Sequence, residues 1–245
     1  MANKVLCVDL GCVNDWTAFT LIEQVFVPVR RDVGPPDLVP EFHCGYIDRP
    51  DLGTSYPEIV RLTRRRMDAL GSDVDLVVDA TGVGRGPVDM MIEVGLSPIG
   101  VVLTSGDSER RTDEFFWHVP KRSIISSMQV MLQNRRFKVR RGMPLADVGL
   151  QELRDYRIQV TKSKNETYAA RQGKHDDIVC SWCLGAWRCK RMEEGAPVEP
   201  PPRPGSPEWV EGERKRMRAA AEARAELEAG GVDSEHYVDS GLDQW

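Results

Sequence analysis

The chain has 245 residues, 41% of them hydrophobic, and a formal net charge of −5. This composition predicts one folded core of about 190 residues with an appendage. No run reaches the roughly 18 apolar residues that a membrane helix needs, and Met1 leads into a strand-like segment rather than a signal peptide. A membrane protein and a globally basic nucleic-acid binder are therefore excluded, although a local basic surface is not.

The six cysteines lie in apolar segments, which is typical of reduced thiols in a core rather than of a disulfide framework. Cys180 and Cys183 form a Cys-x-x-Cys pair, but no second Cys or His pair accompanies them, so a zinc site is not expected. A cytoplasmic location follows as the expectation, which means the host cytoplasm for a viral or prophage-encoded protein.

Apolar runs separated by turns indicate a mixed α/β protein in the first half of the chain. Three opening strands are expected to form an antiparallel meander, at 4–10, 16–29 and 41–47. An amphipathic helix over 56–70 carries a cluster of arginines that faces either DNA or solvent: Arg61, Arg64, Arg65 and Arg66. A strand, a helix and a strand follow as one unit, at 75–79, 88–93 and 99–103.

The second half predicts helices, a basic strand and a hairpin before the composition changes. The helices are expected at 120–132, 145–153 and 176–191, the strand at 135–141 and the hairpin at 156–160 and 166–170. The tip of the hairpin, with Lys162 and Lys164, is exposed and basic, and it either contacts a phosphate backbone or is an ordinary solvated turn. We therefore predict one domain over 1–194 and, over 195–245, a Pro-rich linker with a charged tail that is partly helical or disordered.

Carboxylates occur where predicted strands end and where the last core helix begins. Asp9 and Asp79 close the first and fourth strands, and parallel strands place their carboxyl ends along one crevice. Asp176 and Asp177 open the last helix. Open clusters of carboxylates suit Mg²⁺ or Mn²⁺, and two such ions roughly 4 Å apart can activate water and stabilise the leaving oxygen in phosphodiester hydrolysis.

The order of these motifs resembles the RNase H-like, integrase-type fold, and in particular the nuclease domain of phage terminase large subunits. The resemblance covers residues 4–190 and rests on four motifs: Val8-Asp9-Leu10-Gly11, Val78-Asp79-Ala80-Thr81-Gly82-Val83-Gly84, Val119-Pro120-Lys121-Arg122 and Gly173-Lys174-His175-Asp176-Asp177-Ile178-Val179. It implies a mixed sheet of three antiparallel strands followed by parallel strands, flanked by helices. It further implies a two-metal endonuclease that cuts concatemeric viral DNA during genome packaging.

By this resemblance Asp9, Asp79 and the Asp176/Asp177 pair are the catalytic residues and the ligands of two Mg²⁺ or Mn²⁺ ions. Either member of the pair can be the ligand, with a slight preference for Asp177 because it lies inside the first turn of the helix. The candidate DNA contacts are the following basic residues: Lys121, Arg122, Lys162, Lys164, Lys174 and His175. His175 is equally suited to capping the helix.

The chain departs from the resemblance in having no Gly-x-x-x-x-Gly-Lys-Ser/Thr phosphate loop. An isolated nuclease domain, a split subunit or a free-standing relative is therefore expected, and Met1 favours a separate polypeptide. The expected partners are double-stranded DNA and a separate P-loop packaging ATPase, a small terminase subunit or a portal. The alternatives are an actin-like or sugar-kinase-like ATPase, which normally needs two lobes, and a non-catalytic packaging adaptor with the same fold.

Overall fold

The computed structural model describes residues 3–11, 15–29, 37–160, 166–169 and 175–195, together with strand 237–239 and positions 214, 218 and 221. Lys162, Lys164 and Lys174 lie outside these ranges, as does most of the predicted tail. Within the described part, no helix is both long and apolar enough to cross a membrane.

Nine of the strands that the structure describes form one mixed sheet. Their bounds are β1 Lys4–Asp9, β2 Ala18–Val29, β3 Asp37–Asp48, β4 Val74–Asp79, β5 Pro98–Thr104, β6 Arg110–Arg111, β7 Phe116–Pro120, β8 Phe137–Arg140 and β11 Tyr237–Asp239. Their order across the sheet is β11-β8-β3-β2-β1-β4-β5-β7-β6. Strands β1 to β3 are antiparallel neighbours, whereas β4, β5 and β7 continue from β1 as parallel strands. Strands β9 Arg157–Val160 and β10 Glu166–Ala169 pair as a separate hairpin.

Between residues 37 and 195, the described part of the chain contains five helices, which cover the two faces of the sheet. They are α1 Tyr56–Leu70, α2 Arg85–Glu93, α3 Lys121–Gln133, α4 Ala146–Asp155 and α5 Asp177–Glu194, and a 3₁₀ turn at Gly82–Gly84 precedes α2. Side chains alternate along β1, so that Val5 and Cys7 pack in the core beneath α3 and α5, while Leu6 and Val8 pack beneath α1 and α2. Both faces of the central strand are therefore buried.

The predicted fold class is confirmed, and the differences concern single elements. The sequence prediction missed β6 and β7, because β7 is five residues long and its Phe-Trp-His-Val-Pro sequence has no clear period. Strand β3 begins at Asp37, earlier than predicted, since it pairs with β2 along its whole length. Strand β11 was also missed; it comes from the predicted tail segment and pairs with β8 at the edge of the sheet.

Candidate functional site

Asp9 and Asp79 lie side by side at the carboxyl ends of β1 and β4. These strands are parallel, with Val8 paired to Val78, so the two aspartates follow in the same register, about 5 Å apart along the hydrogen-bonding direction. Each aspartate is two residues beyond a side chain that packs in the core beneath α5, Cys7 in β1 and Val77 in β4. Strand alternation therefore turns both carboxylates toward the α5 face.

Helix α5 brings the second pair of carboxylates to this edge. Ser181 Oγ donates to the carbonyl oxygen of Cys7 at 3.2 Å and lies 2.7 Å from Thr20 Oγ1, which fixes the helix against β1 and β2. Asp177 is one helical turn, about 6 Å, before Ser181, and Asp9 is two residues, about 6.6 Å, beyond Cys7. The start of α5 therefore lies over the carboxyl end of β1.

Burial raises the pKa of the aspartates at this edge, and neighbouring negative charges add to the increase at Asp9. The pKa of Asp9 is raised well above its ordinary range, first by desolvation and then by the charges of Asp79, Asp177 and Asp176. Desolvation also raises the pKa of Asp79, although hydrogen bonds from Thr81 oppose it. Lys121, the first residue of α3, lowers the pKa of both Asp9 and Asp79. Four acidic side chains thus share one partly buried edge with few cations.

Two of these carboxylates are fixed by neighbouring groups. Thr81 N donates to Asp79 Oδ1 at 2.8 Å, so the turn after β4 holds one oxygen of this carboxylate. Arg49 Nη2 donates to Asp177 Oδ2 at 2.9 Å and also to Glu152. Desolvation raises the pKa of Asp177, and the positive charge of Arg49 opposes that increase. Burial raises the pKa of Glu152 to about 7, again against the influence of Arg49.

The donor set fits a hard divalent ion. Every acidic group at the edge offers carboxylate oxygens. Besides burial, mutual repulsion raises the pKa of Asp9, and a bound cation would relieve that repulsion. Within the described ranges, no three His, Cys, Asp or Glu side chains are arranged closely enough to hold one ion. Mg²⁺ is commonly bound through one or two carboxylates with water and substrate phosphate as further ligands, so pairs of carboxylates satisfy its requirements.

Three of the predicted DNA-contacting residues are described by the structure, and each has a different environment near this edge: Lys121, Arg122 and His175. Lys121 acts on both strand-end aspartates, as their pKa values show. Arg122 is half exposed and forms an ion pair with Asp107 at 2.5 Å. His175 is exposed and packs edge-on against Trp16, with ring centroids 4.6 Å apart. Its electrostatic interaction with Asp177 lowers the pKa of that carboxyl.

Two residues next to the site were missed from the sequence, Arg49 and Glu152. Arg49 directly follows β3. Strands β3 and β1 are both antiparallel to β2, so they run in the same direction and their carboxyl ends lie at the same edge. Glu152 is a charged residue on the face of α4 that also carries the buried Gly149 and Leu153. A glutamate within the apolar face of an amphipathic helix is the signal that points to such a residue.

The edge of β1 and β4 therefore carries carboxylates that face the start of α5. No family model matches the chain, and no curated protein matches its sequence. Among solved structures, the chain is similar to the large terminase nuclease from thermophilic phage G20c, with 20% identity, coverage of 74% of this chain and 81% of that chain, and a TM-score of 0.50.

Two further structures are similar at lower TM-scores. The same nuclease with bound magnesium has 22% identity, with 77% of this chain and 82% of that chain covered and a TM-score of 0.49. The g2p (large terminase) nuclease domain from bacteriophage SPP1, with bound Mn, has 11% identity, with 78% and 86% covered and a TM-score of 0.44. The fold assignment rests on the first structure: the chain has the fold of a large terminase nuclease domain, and the predicted resemblance is confirmed at that level.

Proposed function

We propose that this chain is a Mg²⁺- or Mn²⁺-dependent DNA endonuclease of terminase type, which cuts concatemeric phage DNA during genome packaging. The observation that carries the proposal is the register of β1 and β4, which places Asp9 beside Asp79 on the face that the start of α5 covers. The fold of a large terminase nuclease domain supports the assignment to DNA rather than to another phosphodiester.

Asp9, Asp79 and the Asp176/Asp177 pair would hold the ions. Two bound ions would supply an activated water and stabilisation of the leaving oxygen. Asp79 is held in place through Thr81, and Asp177 through Arg49, so the carboxylates are oriented before substrate arrives. Lys121 provides positive charge beside Asp9 and Asp79, where it can attract a DNA phosphate.

The test is cleavage of supercoiled plasmid and of multi-unit-length phage DNA with Mg²⁺, Mn²⁺ or EDTA. Asp9→Asn and Asp79→Asn are expected to reduce cleavage by about 100-fold or more, which is the scale of losing one electrostatic contact in a transition state. Asp48→Asn is the matched control, because Asp48 ends β3 at the same edge but pairs with Arg66 of α1. Its cleavage rate should remain within about threefold of the parent chain.

Several outcomes would count against this proposal. Cleavage that persists in EDTA, or absence of cleavage by the parent chain with either metal, would refute it. Turnover of ATP without DNA cleavage would favour the actin-like or sugar-kinase-like alternative, and DNA or portal binding without either activity would favour the adaptor. Co-purification with a P-loop ATPase, a small terminase subunit or a portal would identify the proposed packaging partners.

A further inference from the structure

Arg49 joins three elements at the edge where the carboxylates meet. It directly follows β3, and its Nη2 atom donates to Asp177 Oδ2 of α5 at 2.9 Å and to Glu152 of α4. Its side chain is 11% exposed, and those of its two acidic partners are 7% and 8% exposed. The guanidinium carbon lies 5.5 Å from the centroid of the Trp16 ring. Arg49 is therefore enclosed on several sides, and solvent screens its ion pairs weakly.

The start of α5 is capped by a residue of another helix. Glu152 Oε2 accepts hydrogen bonds from the backbone nitrogens of Ile178 and Val179, at 3.0 and 3.3 Å. Asp176, at the position where a side chain usually caps the helix, makes no capping hydrogen bond. Glu152 takes over this role, so the backbone that carries Asp176 and Asp177 is attached to α4.

The charges in this group leave Asp177 able to bind a cation. One positive charge, that of Arg49, lies between the carboxylates of Glu152 and Asp177. The group therefore keeps one net negative charge when both acids are ionised. Among the described residues, the hydrogen bond from Arg49 reaches only Oδ2 of Asp177, whereas an arginine committed to this carboxylate alone would bind both oxygens in a fork.

We propose that Arg49 and Glu152 are positioning residues for the metal-binding carboxylate of Asp177. This inference rests on the proposed metal-dependent function. Arg49 orients the carboxylate through Oδ2 and leaves its second oxygen for an ion, while Glu152 holds the helix start and shares the charge of Arg49. A ligating carboxylate that is itself hydrogen-bonded by an outer residue is the usual arrangement in metal sites.

Positioning and simple electrostatics predict opposite results when Arg49 is removed. Loss of a positive charge beside a cation site strengthens cation binding if only charge matters. Loss of an outer residue that orients a ligand instead weakens metal binding, typically by about 10–100-fold. The affinity of the DNA-free protein for Mn²⁺ therefore distinguishes the two roles without any measurement of cleavage.

The experiment is an Mn²⁺ titration of the full chain, followed by the electron paramagnetic resonance signal of free Mn²⁺. Arg49→Met should raise the Kd for Mn²⁺ by about 10–100-fold. Arg49→Lys should recover part of this loss, since a single nitrogen atom contacts both acids. Glu152→Gln can still cap α5 through its amide oxygen. It should nevertheless weaken Mn²⁺ binding, because Asp177 becomes the one anionic partner of Arg49 in this group.

Arg66→Met is the matched control. Arg66 is another partly buried arginine, with a side chain that is 16% exposed and paired with Asp48 on the opposite side of the sheet. The Arg66→Met variant should be less stable than the parent chain but should bind Mn²⁺ with the same affinity. If Arg49→Met does not fold, then Arg49→Lys and Glu152→Gln provide the test, with thermal unfolding as the measure of folding.

Each outcome decides the assignment. If Arg49→Met binds Mn²⁺ as tightly as the parent chain or more tightly, Arg49 is not a positioning residue. Unchanged affinity in Glu152→Gln would remove Glu152 from that role. If the parent chain neither binds Mn²⁺ nor cleaves DNA, the proposed function fails and this inference fails with it. Normal binding and cleavage by the parent chain with unchanged affinity in the variants would refute the positioning role alone.

Discussion

Replacing Gly185 tests whether α5 must lie directly against β1 and β2. A Cβ atom at Gly185 would come 2.4 Å from Ile22 Cδ1 and 2.7 Å from Cys7 Sγ. Carbon atoms in contact are normally about 3.5–4.0 Å apart, so the helix or the strand has to move by about 1 Å. Ile22 and Cys7 are completely buried, which leaves these side chains little space in which to yield.

The expected loss of stability follows from two opposing effects. Overpacking of a core typically costs about 1–3 kcal/mol, and exchange of glycine for alanine inside a helix returns up to about 1 kcal/mol. Gly185→Ala should therefore lower the free energy of unfolding by about 1 kcal/mol, which corresponds to roughly 2–4 °C in Tm. Gly185→Val, which is bulkier and has a lower helix propensity, should cost about 3 kcal/mol.

Urea unfolding followed by tryptophan fluorescence measures these changes, because α5 carries the buried Trp182 and Trp187. Gly86→Ala is the control, because Gly86 lies in α2 and a Cβ atom there would have open space around it. Apart from its chain neighbours and its own helix backbone, no atom of the described residues lies within 4 Å of that position. This variant should keep or raise stability. A displacement of α5 also moves Asp177, and a shift of about 1 Å in a catalytic group can cost about 100-fold in rate. A Gly185→Ala protein with the stability and cleavage rate of the parent chain would refute this account of the helix position.

Three further predictions concern charge. The pKa of Glu152 is raised from 4.5 to about 7, so its contribution to stability is complete below pH 4.5 and is lost as pH rises toward 7. This loss amounts to about 3 kcal/mol at most. In EDTA, the urea midpoint of the parent chain should fall over this pH window, and that of Glu152→Gln should fall less. Mn²⁺ at 100 times its Kd should add about 2.7 kcal/mol to the stability of the parent chain, measured by differential scanning calorimetry. Equal stabilisation of Asp9→Asn by Mn²⁺ would contradict the assignment of Asp9 as a metal ligand. Lys121→Gln should weaken DNA binding. In a plot of the logarithm of DNA affinity against the logarithm of salt concentration, it should reduce the slope by about one. An unchanged slope would show that Lys121 contacts no phosphate.

The convergence of Asp9 and Asp79 could be predicted from the sequence because it depends on local rules. Each aspartate ends an apolar strand, and parallel pairing brings strand ends to one edge. The start of α5 was also correctly placed within one residue, since a polar loop meets a long apolar helix there. Which of Asp176 and Asp177 binds the ion stays a prediction, and Arg49 adds a reason to favour Asp177.

The role of Arg49 could not be predicted because its contacts join residues far apart in the chain. Arg49 is separated from Glu152 by 103 positions and from Asp177 by 128. The sequence placed the end of β3 within one residue, at 47 rather than Asp48, but not the packing of α4 and α5 against that end. That Glu152 caps a helix other than its own could not be predicted either, since such a contact depends on how two helices pack.

The distribution of ion pairs separates the two faces of the sheet. On α1, Arg61 pairs with Glu58, Arg64 with Asp68, and Arg66 with Asp48. Most of the predicted arginine cluster therefore has acidic partners within the fold, which favours the interpretation of a solvated, ion-paired face over a DNA-binding one.

The opposite face has an excess of negative charge at one place. Burial is the first cause of the raised pKa values of Asp9, Asp79 and Asp177, and nearby negative charges add to it at Asp9 and Asp177. The opposing positive charges come chiefly from Lys121 and Arg49. Arg49 is shared with Glu152, so it neutralises less than one carboxylate of the aspartate group. Clustered carboxylates that lack internal counterions destabilise a fold unless a cation binds them. The same charge imbalance that weakens the metal-free protein as pH rises would therefore provide the driving force for binding divalent ions.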